Sequence, residues 1–186
     1  CQGSGGWNGN GGAVSVLCRK SKGKGIGLII TEHCYIDVRG RAAKGQLSIA
    51  QDEMIEGLAK LVHTIHENGV KVFAQISHAG GAAKGDSCGL LPLGASSIPL
   101  PKPRAGQSIP KEMTQTDIDK VVRDFTAAAI RAKKAGFDGI ELHSAHGYLL
   151  NQFFSPLSNK RKDCYNGITI EGRIRFHLEI IASLRD

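Results

Sequence analysis

Phe137-Asp138-Gly139-Ile140-Glu141-Leu142, running directly into His143-Ser144-Ala145-His146-Gly147-Tyr148, is the stretch on which the fold turns. Its first half is short, largely apolar and preceded by the breaker Gly136, the pattern of a buried strand rather than a helix. Two other runs share the pattern: Ile26-Gly27-Leu28-Ile29-Ile30 and Val70-Lys71-Val72-Phe73-Ala74-Gln75-Ile76. None alternates cleanly between apolar and polar, so a parallel sheet covered on both faces is expected.

Helical patterns fill the intervals. From Ala50 to Asn68, apolar residues at Met54, Ile55, Leu58, Leu61, Val62 and Ile65 keep a helical period, with Gly69 at the C-cap position. A second helix opens at Thr114 or Thr116 with Asp117 in its first turn. It carries the stripe Ile118, Val121, Val122, Phe125, Ala128, Ala129 and Ala132, and stops at Ala135-Gly136. A third is expected along Ile174, Leu178, Ile181 and Leu184. Strand and helix alternate three times, the signature of βαβ units around a parallel sheet, with no sign of a second domain. One stretch breaks the rhythm. Gly80 to Met113 carries Pro92, Pro99, Pro101, Pro103 and Pro110, and reads as a functional lid or binding excursion.

Composition narrows the function classes. With 186 residues, 41% hydrophobic and 22% charged, the chain can build a core, and no apolar run approaches the roughly 18–20 residues of a membrane span. The formal charge of +7 comes from basic residues in ones and twos, apart from Lys160-Arg161-Lys162, and aromatics are 5%. That suits a solvated surface or a small anionic ligand better than nucleic acid. The five cysteines, Cys1, Cys18, Cys34, Cys88 and Cys164, form no Cys-x-x-Cys pair, so free thiols in a reducing cytoplasm are expected. Residues 1–20, opening Cys1-Gln2-Gly3-Ser4-Gly5-Gly6, read as a glycine-rich lead-in with a possible helix remnant; residues 21–186 form the α/β domain.

In a parallel α/β fold the chemistry collects at the carboxyl ends of the strands. Here those ends carry Thr31-Glu32-His33, Gln75-Ile76-Ser77-His78-Ala79-Gly80-Gly81 and His143 to Tyr148. His63 and His66, three apart on the first helix, read as surface residues, and His78 alone as a loop histidine. His143, His146 and Tyr148 can line one pocket wall. As neutral donors the imidazoles could hold a carbonyl or phenolate oxygen; as ligands they could hold a metal. Tyr148 favours the first, since a phenol beside a substrate can donate a proton. A metal site would need further ligands, and Glu141, in the strand interior, is expected to be turned away from it.

Three blocks, Gly27-Leu28-Ile29-Ile30-Thr31-Glu32, Gln75-Ile76-Ser77-His78-Ala79-Gly80, and Gly136 through Tyr148 continuing Leu149-Leu150-Asn151-Gln152-Phe153-Phe154-Ser155-Pro156, resemble the old yellow enzyme family of FMN-dependent NAD(P)H oxidoreductases and ene-reductases. Asn159-Lys160-Arg161-Lys162-Asp163 with Tyr165 extends the match, which covers roughly residues 20–186. The resemblance implies a (β/α)8 TIM barrel, present here in part as about three to four βα units, with FMN at the carboxyl face of the strands. It implies that Gln75 bonds the pyrimidine edge of the flavin and that Thr31 and Glu32 end the second barrel strand beside it. His143 and His146 would bind the carbonyl of an α,β-unsaturated substrate, Tyr148 would give the proton, and NAD(P)H would be the reductant. No resident metal is implied. A homo-oligomer or a complementing segment is expected to complete the barrel.

The sequence departs from the family's usual pattern in places. Gly81 stands where the family usually has Arg. Tyr165-Asn166-Gly167-Ile168-Thr169-Ile170-Glu171-Gly172-Arg173 replaces a Tyr-Gly-Gly-Ser stretch followed by Glu-Asn-Arg. The other readings are a metal-dependent barrel enzyme built on His143 and His146, and a non-catalytic truncated homologue.

Overall fold

The structure, a computed structural model, describes residues 17, 19–22, 25–83, 90–101, 103 and 107–185. Cys1, Cys18 and Cys88 lie outside the described residues, as do the first sixteen residues of the lead-in. Residues 17 and 19–21 are helical, and Ser21 accepts a hydrogen bond from the Asn68 side chain.

The main sheet holds β1 (Leu28–Ile30), β2 (Cys34–Tyr35), β3 (Lys71–Ser77) and β6 (Gly139–Leu142), every pairing parallel. β3 is central. β6 pairs along Phe73–Ile76, β1 pairs with Lys71–Phe73, and β2 pairs with Ile76–Ser77. β1 and β2 are therefore two segments of one interrupted strand. Ile30 faces Phe73 and Cys34 faces Ile76, so a step of four residues on one side spans a step of three on the other. The extra residue is a β-bulge at Thr31-Glu32-His33, where a strand re-aims its side chains. The strand expected to end at Thr31 and Glu32 thus continues past them.

α1 (Ile55–His66), α2 (Gln115–Lys134), α3 (Leu149–Phe154) and α4 (Ile170–Ser183) follow the expected alternation, α3 being one short helix more than the periodicity shows. Gly69 and Gly136 end the first two helices with φ of 72° and 89°. Thr114, not Thr116, caps α2, in a reciprocal capping box with Asp117.

Val72, Ala74 and Ile76 of β3 point to the helices and are fully buried with Leu58, Leu61, Ile65, Ile118, Val121 and Phe125. The other face corrects the expectation of cover on both sides: Leu28 and Ile30 are each 44% exposed. It is the inner wall of a partial barrel, lined further along by Phe73, Gln75 and Glu141. Burial also corrects the last helix. Leu178 and Ile181 of the expected stripe are exposed, whereas Phe176 and Ile180 are fully buried. The period is helical but its phase is set by Phe176, whose ring lies 4.6 Å from that of Phe153. Burying an aromatic against an aromatic outweighs turning the aliphatic stripe inward.

The proline-rich excursion carries regular structure of its own. Its described part contains β4 (Leu93–Gly94) and β5 (Lys111–Glu112), paired in parallel. Arg161 pins them. Its guanidinium donates to the carbonyls of Ala95 (3.2 Å) and Met113 (2.7 Å) and to the carboxylate of Asp163. The middle of the one basic triplet is thus buried, and the triplet is not a charged ridge.

Candidate active site

Three elements converge at the carboxyl edge of the sheet. From the end of β6, His143 stays on the inner-wall parity of Glu141 and Gly139, with its backbone N–H bonded to Ile76 O (3.0 Å). The chain then turns sharply. His146 adopts φ 57° and Gly147 φ 72°, a left-handed step costing a non-glycine residue about 1–2 kcal/mol. Buried Gln152 holds the turn from below. Its amide donates to Gly147 O (2.7 Å) and Ala79 O (3.2 Å) and accepts from Gly81 N–H (3.0 Å). Asn151 accepts from Gly147 N–H (3.0 Å). Tyr148 therefore emerges at the start of α3, 6% exposed, beside the histidines.

The predicted trio is brought together. The rings of His143 and His146 lie 5.1 Å apart, with Nε2 and Nδ1 at 3.4 Å, and Tyr148 stands edge-on to His143 at 4.9 Å. A fourth ring, read from the sequence only as a strand-end residue and not as a site candidate, completes the cluster. His33 stacks on His143 (5.3 Å, 24°) and meets Tyr148 edge-on (5.3 Å, 86°). Burial lowers the proton affinity of both His33 and His143, and the mutual repulsion of the imidazoles lowers it further. At neutral pH these two rings are uncharged donors and acceptors, able to hold an electron-rich oxygen.

Gln75 lies on the inner wall, half-buried. Its amide nitrogen is 3.2 Å from Glu141 Oε1, because Gln75 and Glu141 sit directly opposite each other on β3 and β6. Glu141, expected to face away, shares the face of Gln75 and His143: residues two apart on a strand point the same way. Thr31 is buried, and its hydroxyl accepts the Gln75 backbone N–H (3.2 Å), bridging the bulge; Glu32 is exposed. His78 packs behind the site. Its Nδ1 accepts the Gly80 N–H (3.0 Å), and burial pulls its pKa down to about 4. His63 lies at the surface beside Glu67, and His66, also exposed, bonds Asp138 (2.7 Å). Among the described residues no group of three or more His, Cys, Asp or Glu is arranged to hold a metal ion.

A cavity of about 440 Å³ opens beside His146, lined by Leu100, Pro101, Gln107, Asn151 and Leu157 among others. That lies within the range of roughly 300–1,000 Å³ typical of small-molecule sites. A larger hollow of about 570 Å³, between α2, α4 and the edge of β6, shares no residue with the histidine cluster.

Gly81 now has a physical reason. A Cβ there would meet Pro110 Cγ at 2.9 Å, so the excursion fills the space a longer side chain would take. The altered turn before α4 is also well made. Asn166 accepts the N–H groups of Ile168 and Thr169, Thr169 caps the helix through Gly172 N–H, and a Cβ on Gly172 would lie 2.5 Å from Asn166 O.

Parallel βα units curved around an inner wall make the fold part of a TIM barrel, the fold of the flavin oxidoreductases that it matches. Among solved structures, morphinone reductase in complex with tetrahydroNAD superposes with a TM-score of 0.83 at 28% identity, over 90% of this chain and 50% of that one. TcOYE with pHBA gives 0.82 at 30% identity, over 92% and 52%. The model of the NADH:flavin oxidoreductase / NADH oxidase family matches residues 9–186, and the chain belongs to that family of FMN flavoproteins. An NADPH dehydrogenase of Geobacillus sp. (strain WCH70) is 43% identical over 161 residues, 87% of this chain and 45% of that protein. An NADH oxidase of Thermoanaerobacter brockii is 43% identical over 164 residues, 87% of this chain and 25% of that protein. The chain thus spans about half the length of the first relative and a quarter of the second.

Among the described residues no helix is long and apolar enough to cross a membrane.

Proposed function

We propose that this chain forms the substrate-facing part of an FMN-dependent NAD(P)H oxidoreductase that reduces the C=C bond of α,β-unsaturated carbonyl compounds. The observation that carries the reading is the convergence of His143, His146 and Tyr148 at the carboxyl edge of the strands, one β-strand away from Gln75.

The donor set suits the cofactor. The inner wall offers an apolar surface from Leu28, Ile30 and Phe73, and Gly139 lets the Phe73 ring lie where a Cβ would sit 2.7 Å from it. Gln75 adds one donor and one acceptor in the plane of its amide, matching the alternating edge of a pyrimidine. When bound, FMN supplies the hydride it takes from NAD(P)H. The residues of this chain do the rest. His143 and His146 donate to the carbonyl oxygen, polarising the conjugated alkene and stabilising the charge that collects on that oxygen. Tyr148 gives its phenolic proton to the α-carbon. Of the ring cluster His143 and Tyr148 are buried, His33 is half-buried and His146 stands exposed at the solvent side. The reaction sits with a soluble small-molecule substrate, and the thiols described, Cys34 and Cys164, are free, as in a reducing cytoplasm.

The test separates the two half-reactions. Tyr148→Phe is expected to slow alkene reduction by about 10²–10⁴, the usual contribution of a positioned proton donor, and to leave flavin reduction by NAD(P)H unchanged. Stopped-flow absorbance at the flavin band reads both. Equal losses in the two half-reactions would remove Tyr148 from the proton path.

A further inference from the structure

We propose that His33 is a positioning residue of this site, held by Gln46 as the neutral tautomer protonated on Nε2, and that it fixes the orientation of His143 and Tyr148. The reading rests on the proposed carbonyl-binding role of His143, but the tautomer is a property of the chain alone.

The chain of hydrogen bonds fixes the proton. The backbone N–H of Ala42 can only donate, and it bonds Gln46 Oε1 at 2.7 Å, so the other end of that amide is the NH₂ group. This group gives one hydrogen to the carbonyl oxygen of His33 itself (2.9 Å) and the other to His33 Nδ1 (2.8 Å). Nδ1 is therefore an acceptor and carries no proton, which leaves the proton of the neutral ring on Nε2. Burial acts in the same direction, disfavouring the charged ring, while Glu32 beside it pulls toward protonation and His146 pushes against it.

The geometry shows what this neutral ring does. It lies face to face with His143 at 5.3 Å and at 24°, and edge-on to Tyr148 at 86°. One face of His143 is thereby covered by an uncharged plane, and its ring is confined between His33, His146 and Tyr148. A charged His33 in the same place would repel any proton gained by His143 and would compete for the electron-rich oxygen that His143 is set to hold. The anchor also explains the bulge. Gln46 grips both the backbone and the side chain of His33, so the extra residue between β1 and β2 is stitched to the Ala42–Gln46 loop.

The experiment is long-range ¹H–¹⁵N spectroscopy of ¹⁵N-histidine-labelled protein from pH 5.5 to 8, on wild type, Gln46→Glu and His33→Phe. Wild-type His33 is expected to show a protonated Nε2 and a bare Nδ1. Gln46→Glu keeps shape and the Ala42 contact but has no hydrogen to give, so Nδ1 must bring its own proton and the His33 pattern reverses or becomes that of the cation. The His143 signals should move in both variants, and kcat/KM for an unsaturated ketone should fall about tenfold in Gln46→Glu with flavin reduction by NADPH unchanged. A wild-type His33 protonated on Nδ1 overturns the proposal, as do His143 signals at their wild-type positions in His33→Phe. The expected tautomer in a protein that reduces no alkene would support the role of Gln46 and sink only the carbonyl reading.

Discussion

Replacing Arg161 by Met is the sharpest test of how the site is supported, because it removes one charge and keeps most of the volume. Arg161 is 7% exposed, donates to the carbonyls of Ala95 and Met113, and pairs with Asp163. The Asp163 side chain is 46% exposed, so the loss of its partner costs about 0–1 kcal/mol. The two carbonyls are worth more: each buried acceptor left unsatisfied costs about 1–3 kcal/mol. Methionine keeps the packing on Phe153 and Tyr165, over which the guanidinium now sits at 5.8 Å, and so limits the cavity term. The expected loss is about 3 kcal/mol, which urea unfolding at constant m-value would read as a lowered midpoint. It is also local. The bonds from Lys111 N–H to Pro92 O and from Met113 N–H to Gly94 O hold β4 to β5, and hydrogen exchange at Lys111 and Met113 should accelerate more than exchange at Val72 or Ala74. A loss below 1 kcal/mol, or protection unchanged at Lys111 and Met113, would refute the staple.

Two further outcomes follow from packing and titration. Gly40→Ala would place a Cβ 2.5 Å from Cγ and Cδ2 of His78, a ring fixed by Gly80 N–H and unable to retreat, and overpacking of that kind costs about 1–3 kcal/mol; an unchanged midpoint of thermal unfolding would show that the ring yields. His78 itself, with its pKa pulled from 6.5 down to about 4 by burial, binds fewer protons folded than unfolded between those values. Stability is therefore complete above pH 6.5 and falls as pH drops toward 4, by at most about 1.4 kcal/mol per pH unit. In His78→Gln this part of the pH dependence of urea unfolding should vanish, and a slope equal to wild type would place the titration elsewhere.

The strands and long helices were legible because their signals are local: continuous apolar runs, helical periods, and breakers at Gly69 and Gly136. The clustering of His143, His146 and Tyr148 was legible because a strand end delivers neighbours in sequence to neighbouring places. Their supports were harder to read. Gln152 is a polar residue in a short apolar helix and Arg161 stands in a charged run, so neither residue type announces burial; the tertiary partners, Gly147 and Ala79 for one, Ala95 and Met113 for the other, draw them inside. The α4 stripe failed for a related reason. Ile174, Leu178, Ile181 and Leu184 keep as good a period as Phe176 and Ile180, and the choice between the two phases is made by Phe153, a residue on another helix.

The sequence places His33 at a strand end but outside the candidate cluster, and parity argues against it. Counting alternately from Ile29, which faces the helices, Thr31 and His33 should face them too, and a buried histidine behind the sheet would be a core residue of no chemical interest. The bulge inserts one residue, and a single-residue slip exchanges the two faces of everything beyond it. Cys34, which unbroken alternation would send to the inner wall, is aligned with Ile76 and fully buried against the helices, where its thiol is pushed up to about 12. His33, in turn, reaches the ring cluster. Nothing in Thr31-Glu32-His33 announces the slip; what stabilises it is Thr31 accepting the Gln75 N–H across the gap and Gln46 gripping His33 from thirteen residues away. Thr31 thereby ties the bulge to Gln75 on β3, and the stacking of His33 on His143 ties it to the end of β6, so if the proposed role of His33 holds, a change at Gln46 reaches His143 without touching it.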